Sequence, residues 1–170
     1  MSEGSAEPKR HYGKYRGLVI ENIDPLQIGR ILAQVPDVLG LIPSSWALPC
    51  VPAAGLQSGV FVVPGIGSQV WIEFEQGDPD YPIWTGGFWG LVADVPALAI
   101  VPPAIPPGQN FVMQTPGQTT LVLSDSVPTP LTGGIILKSG ASIMVINATG
   151  IYINAPIVAI NETALVIVGP

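Results

Sequence analysis

Charge, cysteine and histidine are scarce in this chain, and each scarcity removes a class of function. Only 11% of the 170 residues are charged, and 6 Lys and Arg against 12 Asp and Glu give a net charge of −6. Nucleic-acid binding needs a basic stripe against phosphate, and this balance does not provide one. The single cysteine, Cys50, excludes an internal disulfide. Its setting, Leu48-Pro49-Cys50-Val51-Pro52, reads as a buried structural thiol rather than a nucleophile. His11 is the lone histidine, so zinc-type ligand spacing cannot be assembled and no metal or other cofactor is expected.

The few charges are also unevenly placed. Lys9, Arg10, Lys14, Arg16 and Arg30 lie near the N-terminus, and after Asp94 only Asp125, Lys138 and Glu162 carry side-chain charge. A solvated surface is normally far richer in charge, so the C-terminal half is expected to bury itself against copies of itself. Two long uncharged stretches, Val38 to Ile72 and Val95 to Ser124, raise the question of a membrane span. Pro43, Pro49, Pro52 and Pro64 interrupt the first, and Pro96, Pro102, Pro103, Pro106 and Pro107 the second, so neither reads as a spanning helix. The polar start, Met1 to Arg16, has no apolar centre of the signal-peptide kind.

What is abundant points to strands. With 20 glycines, 19 prolines and many valines and isoleucines, the expected class is all-β with almost no helix. From Ser68 to Glu75, Val70, Ile72 and Phe74 alternate with Trp71, Glu73 and Glu75, as in a half-buried strand. Gly77-Asp78-Pro79-Asp80 then turns the chain toward a second strand beginning near Tyr81.

This stretch resembles the oligomer-binding-fold (OB-fold) domain of the central spike proteins of contractile injection machines, the phage baseplate assembly protein V and VgrG group. The family pattern VPxxGxxVxVxFExGDPDxPxxxG is met here by Pro64, Gly67, Gly77, Asp78, Pro79, Asp80, Pro82 and Gly86. A second pattern, DPxxxGRVxVxVP, is met by Asp24, Pro25, Gly29 and Arg30, leading to a strand with Ile31, Ala33 and Val35 on one face. Residues 37–59 read as a long loop around Trp46, which the resemblance places outside the barrel, where partners meet it. The resemblance implies boundaries of 1–14 for a flexible arm, 15–93 for the barrel, 94–109 for a stiff proline-rich linker and 110–170 for a needle.

The C-terminal half contains short strands bounded by Gly, Pro or Asn, with no room for crossover helices. One face reads as apolar throughout: Leu121, Leu123, Ile135, Leu137, Ile143, Val145, Ile151 and Ile153. A single chain of such strands has exposed edges and a thin core, and winding three copies around one axis removes both defects. The resemblance continues through TPxGxTLxLxD and GIxLxSxxGxxIxIxxxGIxI, which implies an intertwined, trimeric β-helix with those eight residues as its core.

Catalysis has little to work with. Glu73, Glu75, Asp78 and Asp80 form the one carboxylate cluster, expected to be a solvated rim or to pair with Arg16 or Arg30 of a barrel neighbour. Trp71, Trp84, Phe88 and Trp89 could form a base-stacking platform, but the groove lacks cations, so they are expected in the barrel core and at subunit contacts. The segment Val95 to Asn110 is too short for the lysozyme domain of some phage spikes, and no histidine follows His11 to build a tip iron site. The expectation is a non-enzymatic homotrimeric spike, assembled in the cytoplasm into a phage-tail-like particle. It would dock on hub and tail-tube proteins, carry a PAAR-type tip protein over Leu165 and Val168, and puncture a target membrane. The alternative is a trimeric glycan-binding or glycan-cleaving tail spike, which needs an exposed aromatic and acidic groove. After Asp94 only Phe111 and Tyr152 are aromatic.

Overall fold

Strand formation in the N-terminal half follows a two-residue period. The computed structural model describes residues 9–100, 110–125, 133–160 and 165–168, with Ile160 and 165–168 by backbone alone. The chain divides into two compact units, Met1–Gly90 and Leu91–Pro170.

The first unit contains β1 (Tyr15–Glu21), β2 (Leu32–Gln34), a helical turn α1 (Pro36–Leu39), β3 (Leu48–Pro49), β4 (Ala54–Gly55), β5 (Ser58–Gly59), β6 (Gln69–Phe74) and β7 (Pro82–Gly87). Five of the strands form one sheet in the order β2-β1-β6-β7-β3, and β4 pairs with β5 as a small separate hairpin. Alternation in β6 is complete, with Val70, Ile72 and Phe74 buried and Gln69, Trp71 and Glu73 half-exposed between them. A bulge lets the sheet curl: Val70 pairs with Gly87 and Ile72 with Trp84, so β7 carries the extra residue. Gly86 sits in that bulge at φ 127°, a conformation glycine adopts at least cost.

Closure comes from the segment between β2 and β5. Ile31 and Ala47 exchange both backbone hydrogen bonds, 3.2 and 2.8 Å, while the next residues, Leu48 and Pro49, pair in parallel with Ile83 and Trp84. One short run of chain therefore touches both edges of the curled sheet. Val19, Ile31, Ala33, Val35, Ala47, Val70 and Ile72 are fully buried in the resulting barrel, with Phe74 and Trp84 beside them. Each large aliphatic side chain so buried contributes about 1.5–3 kcal/mol.

The second unit is a meander. β8 (Asn110–Gln114), β9 (Thr120–Ser124), β10 (Gly134–Ser139), β11 (Ser142–Asn147) and β12 (Gly150–Asn154) form one antiparallel sheet in the order β12-β11-β10-β9-β8. β13 (Ile157–Ile160) and β14 (Leu165–Val168) pair as a separate two-stranded sheet. A small core of Val122, Ile136 and Val145 lies on one face of the meander, with Leu98, Val112 and Ile143 packed against it.

Four expectations change. Residues 37–59 are not a plain loop, because most of α1 and all of β3, β4 and β5 fall in them and Ala47 enters the core. Of the arm, residues 1–8 lie outside the described residues, while Arg10 to Lys14 are bonded to the barrel rather than free. Residues 101–109 of the linker also lie outside, but Val92–Asp94 and Ala97–Ala99 are short 3-10 turns, not an extended strap. Cys50 is exposed at the sheet edge, where its backbone N–H donates to Trp84 O and its side chain is turned away from the core.

Candidate functional site

The Asp24–Arg30 turn is organised around one carboxylate. Asp24 is buried in its side chain (3% exposed) and accepts hydrogen bonds from the backbone amides of Leu26, Ile28 and Arg30 at 2.9, 3.0 and 3.2 Å. The Arg30 guanidinium donates to it twice more, at 3.0 and 2.6 Å, and lies over the Trp46 ring at 5.3 Å. The Arg30 guanidinium, and then the three backbone amides, hold the Asp24 carboxyl well below the usual carboxylate range, outweighing the opposing effect of burial. The buried Trp84 indole N–H donates to Gly29 O at 3.0 Å. That bond joins the two sequence signatures, which are far apart in the chain.

The Gly77–Asp80 turn has a different organisation. Gly77 adopts φ 76°, Asp78 Oδ1 accepts from the Asp80 amide at 3.1 Å, and Tyr81 N–H closes back on Asp78 O at 3.0 Å. The N-terminal arm lies on this turn: His11 N–H donates to Gly77 O at 2.8 Å, and Arg10 pairs with Asp78 at 3.0 Å. Lys14 pairs with Glu73 and donates to Thr85 Oγ1, both at 2.8 Å. Within the chain Asp78 and Glu73 thus meet Arg10 and Lys14, while Glu75 and Asp80 face solvent. These are exposed pairs that position a turn, and such pairs contribute little to stability.

The aromatic residues do not form one platform. Trp84 is core. Trp71 and Phe88 stack on the outer face at 4.6 Å between ring centroids with the Arg16 guanidinium over both, and Trp89 stands 64% exposed. A charge-free hollow of about 680 Å³ opens beside β3, lined in part by Ile28, Pro49, Val51, Phe61 and Val62. Among the described residues no cluster of three His, Cys, Asp or Glu could hold a metal ion.

An extended apolar surface lies on the meander. Register sets Phe111, Leu123, Ile135, Ile146 and Ile151 in one cross-strand row, and Met113, Leu121, Leu137, Met144 and Ile153 in the next row on the same face. All ten are apolar. In the single chain eight of them are between 38% and 67% exposed, far more apolar surface in one patch than a lone domain normally shows. Six of the eight expected core residues lie here. Ile143 and Val145 do not: the Ser139–Ser142 pairing puts them opposite Lys138 and Ile136, on the face with Val122. Met144 and Ile146 take their place, and Phe111 and Met113 extend the face. For Leu165 and Val168 only the backbone is described, in β14, paired with Ile160 and Ile157.

A small closed barrel followed by a charge-poor meander with one wholly apolar face defines a structural assembly component. Two family models match the chain. The Type VI secretion system/phage-baseplate injector OB domain matches residues 15–89, and the phage baseplate V C-terminal trimerisation domain matches residues 110–166. The chain belongs to the phage baseplate V family, with an N-terminal OB domain and a C-terminal trimerisation domain. No individual curated protein matches it.

Proposed function

We propose that three copies of this chain form the membrane-puncturing central spike of a contractile injection particle. The observation that carries the reading is the ten-residue apolar face, which none of the described residues covers. Three such faces turned toward one axis bury a continuous Ile, Leu and Met core, and wound together they form a β-helical needle stiffened by backbone hydrogen bonds between chains. The six expected core residues on this face line it, while Ile143 and Val145 back it from the other side. The barrel docks on the hub, with the charge-free hollow beside β3 and the Arg16–Trp71–Phe88 stack as contact surfaces. The hairpin of β13 and β14, apolar in sequence along both strands, receives a PAAR-type tip protein over Leu165 and Val168. The chain acts mechanically and carries no chemistry; assembly occurs in the cytoplasm before the particle meets its target.

Among the described residues no helix is long and apolar enough to cross a membrane, so penetration in this reading is driven by sheath contraction. The test is localisation in native particles by image averaging with a label on the N-terminal arm. Density on the tail axis below the hub is the expected result. A peripheral position, where glycan-binding spikes attach, overturns it.

A further inference from the structure

Two buried donors in the meander find no acceptor, and both lie on one rim of the sheet. Asn110 begins β8 and Asn147 ends β11. Pairing sets Asn110 against Ser124, Ser124 against Gly134 and Asn147 against Gly150, and a Cβ built on Gly134 would lie 3.0 Å from that of Asn147, so the five share a row. The Nδ2 atoms of Asn110 and Asn147 are shielded from solvent and have no hydrogen-bond partner. Buried amide donors are paired in nearly all folded proteins.

The oxygen of Asn147 is fully used. It accepts from Thr149 N–H at 2.9 Å, Thr149 Oγ1 at 2.7 Å and Gly150 N–H at 3.2 Å, closing the β11–β12 turn. One side chain thus divides its work, folding its own chain with the oxygen and leaving the nitrogen unanswered. The motif recurs: Ile146-Asn147, Ile153-Asn154 and Ile160-Asn161 place an Ile-Asn pair every seven residues. Asn154 ends β12 but is exposed and pairs with Ile143 at the opposite rim, and Asn161 lies outside the described residues. β12 is also an edge of its sheet, with one row of backbone groups open for pairing.

We propose that Asn147 sets the register of the trimer: its Nδ2 donates to a backbone carbonyl of a second copy at this rim. The inference rests on the trimeric reading above. Ile, Leu and Met side chains pack against one another in many relative positions, so the apolar face alone leaves sliding cheap. A buried amide is satisfied at one position only, as polar residues are in coiled-coil seams. Affinity comes from the apolar face and alignment from Asn147.

The experiment compares Asn147→Asp with Asn147→Ala in the full chain. Aspartate keeps the oxygen that closes the turn and lacks the donor, whereas alanine lacks both. Asn154→Asp, the same exchange at an exposed position opposite Ile143 and off the apolar face, controls for added charge. Trimer lifetime is read on unboiled denaturing gels over a temperature series, with far-ultraviolet circular dichroism reporting strand content. The expected result is that Asn147→Asp shortens the lifetime at least about tenfold, the effect of losing one buried hydrogen bond per copy, with strand content kept and Asn154→Asp near wild type. An Asn147→Asp trimer as long-lived as the wild type overturns the proposal and leaves Asn147 a turn residue. A monomeric wild-type chain is a separate failure, since it removes the trimeric reading first.

Discussion

Ile151→Asp separates the single-chain surface from the assembled core, because the two give opposite expectations at this position. In the single chain Ile151 is 67% exposed and touches its neighbours mainly through the cross-strand pair with Ile146. Removing that pair costs about 0.2–1 kcal/mol, so an isolated chain should fold nearly as before. If three copies meet on this face, each isoleucine gives up about 1.5–3 kcal/mol of burial, or roughly 5–9 kcal/mol over the trimer. Three carboxylates brought close together away from water add several kcal/mol more. The dissociation constant should therefore rise by more than about a thousandfold, and the trimer should be lost at micromolar concentration. Light scattering gives the mass, expected near three times 17.7 kDa for the wild type and near one chain for the variant. A urea titration of the barrel should be unchanged. Recovery of a heat-resistant Ile151→Asp trimer would refute burial of this face.

Three further outcomes follow from the barrel. Ile72→Ala empties a fully buried site and should destabilise the N-terminal unit by about 2–5 kcal/mol, read as a lower urea midpoint while trimer mass is retained. The folded-state pKa of Asp24 is depressed, so its contribution to stability is present above its unfolded value, about 3.9, and is lost as pH falls through the folded value. Urea midpoints measured from pH 5 downward should fall below about pH 4 in the wild type and less steeply in Asp24→Asn; equal slopes would remove the carboxylate from this role. Because Cys50 is exposed, a maleimide reagent should label one thiol per chain without denaturant, and protection of the thiol would contradict the barrel edge described here.

Much of the fold was legible because β-structure writes its period into sequence. Val70, Ile72 and Phe74 were placed inside by alternation alone, and Gly77-Asp78-Pro79-Asp80 marked its own turn. The two-strand contact of Ala47 to Pro49 was not legible, since a run containing Trp46, Pro43 and Pro49 has no strand period and its role is set by the two distant edges it joins. Cys50 was misplaced for a related reason: apolar neighbours in sequence say nothing about which side of an edge strand faces the core. On the meander, a family-style alternation grouped Ile143 and Val145 with Leu121 and Ile135. Register decides otherwise, because the Gly140-Ala141 hairpin pairs Lys138 with Ile143 and so moves every residue of β11 by one place. The division of Asn147 into a bonded oxygen and an unbonded nitrogen exists only in three dimensions.

The apolar face also governs how such a chain comes into being. A barrel can close as soon as Gly87 has left the ribosome, at a rate independent of how many other chains are near. The meander that follows it has ten oily side chains turned to water and no partner until sister chains arrive. Its maturation is therefore a race between a collision of higher order in chain number and clumping with strangers. Polysomes, which hold nascent sisters near one another, tilt that race toward the correct partners; dilution in the test tube tilts it the other way.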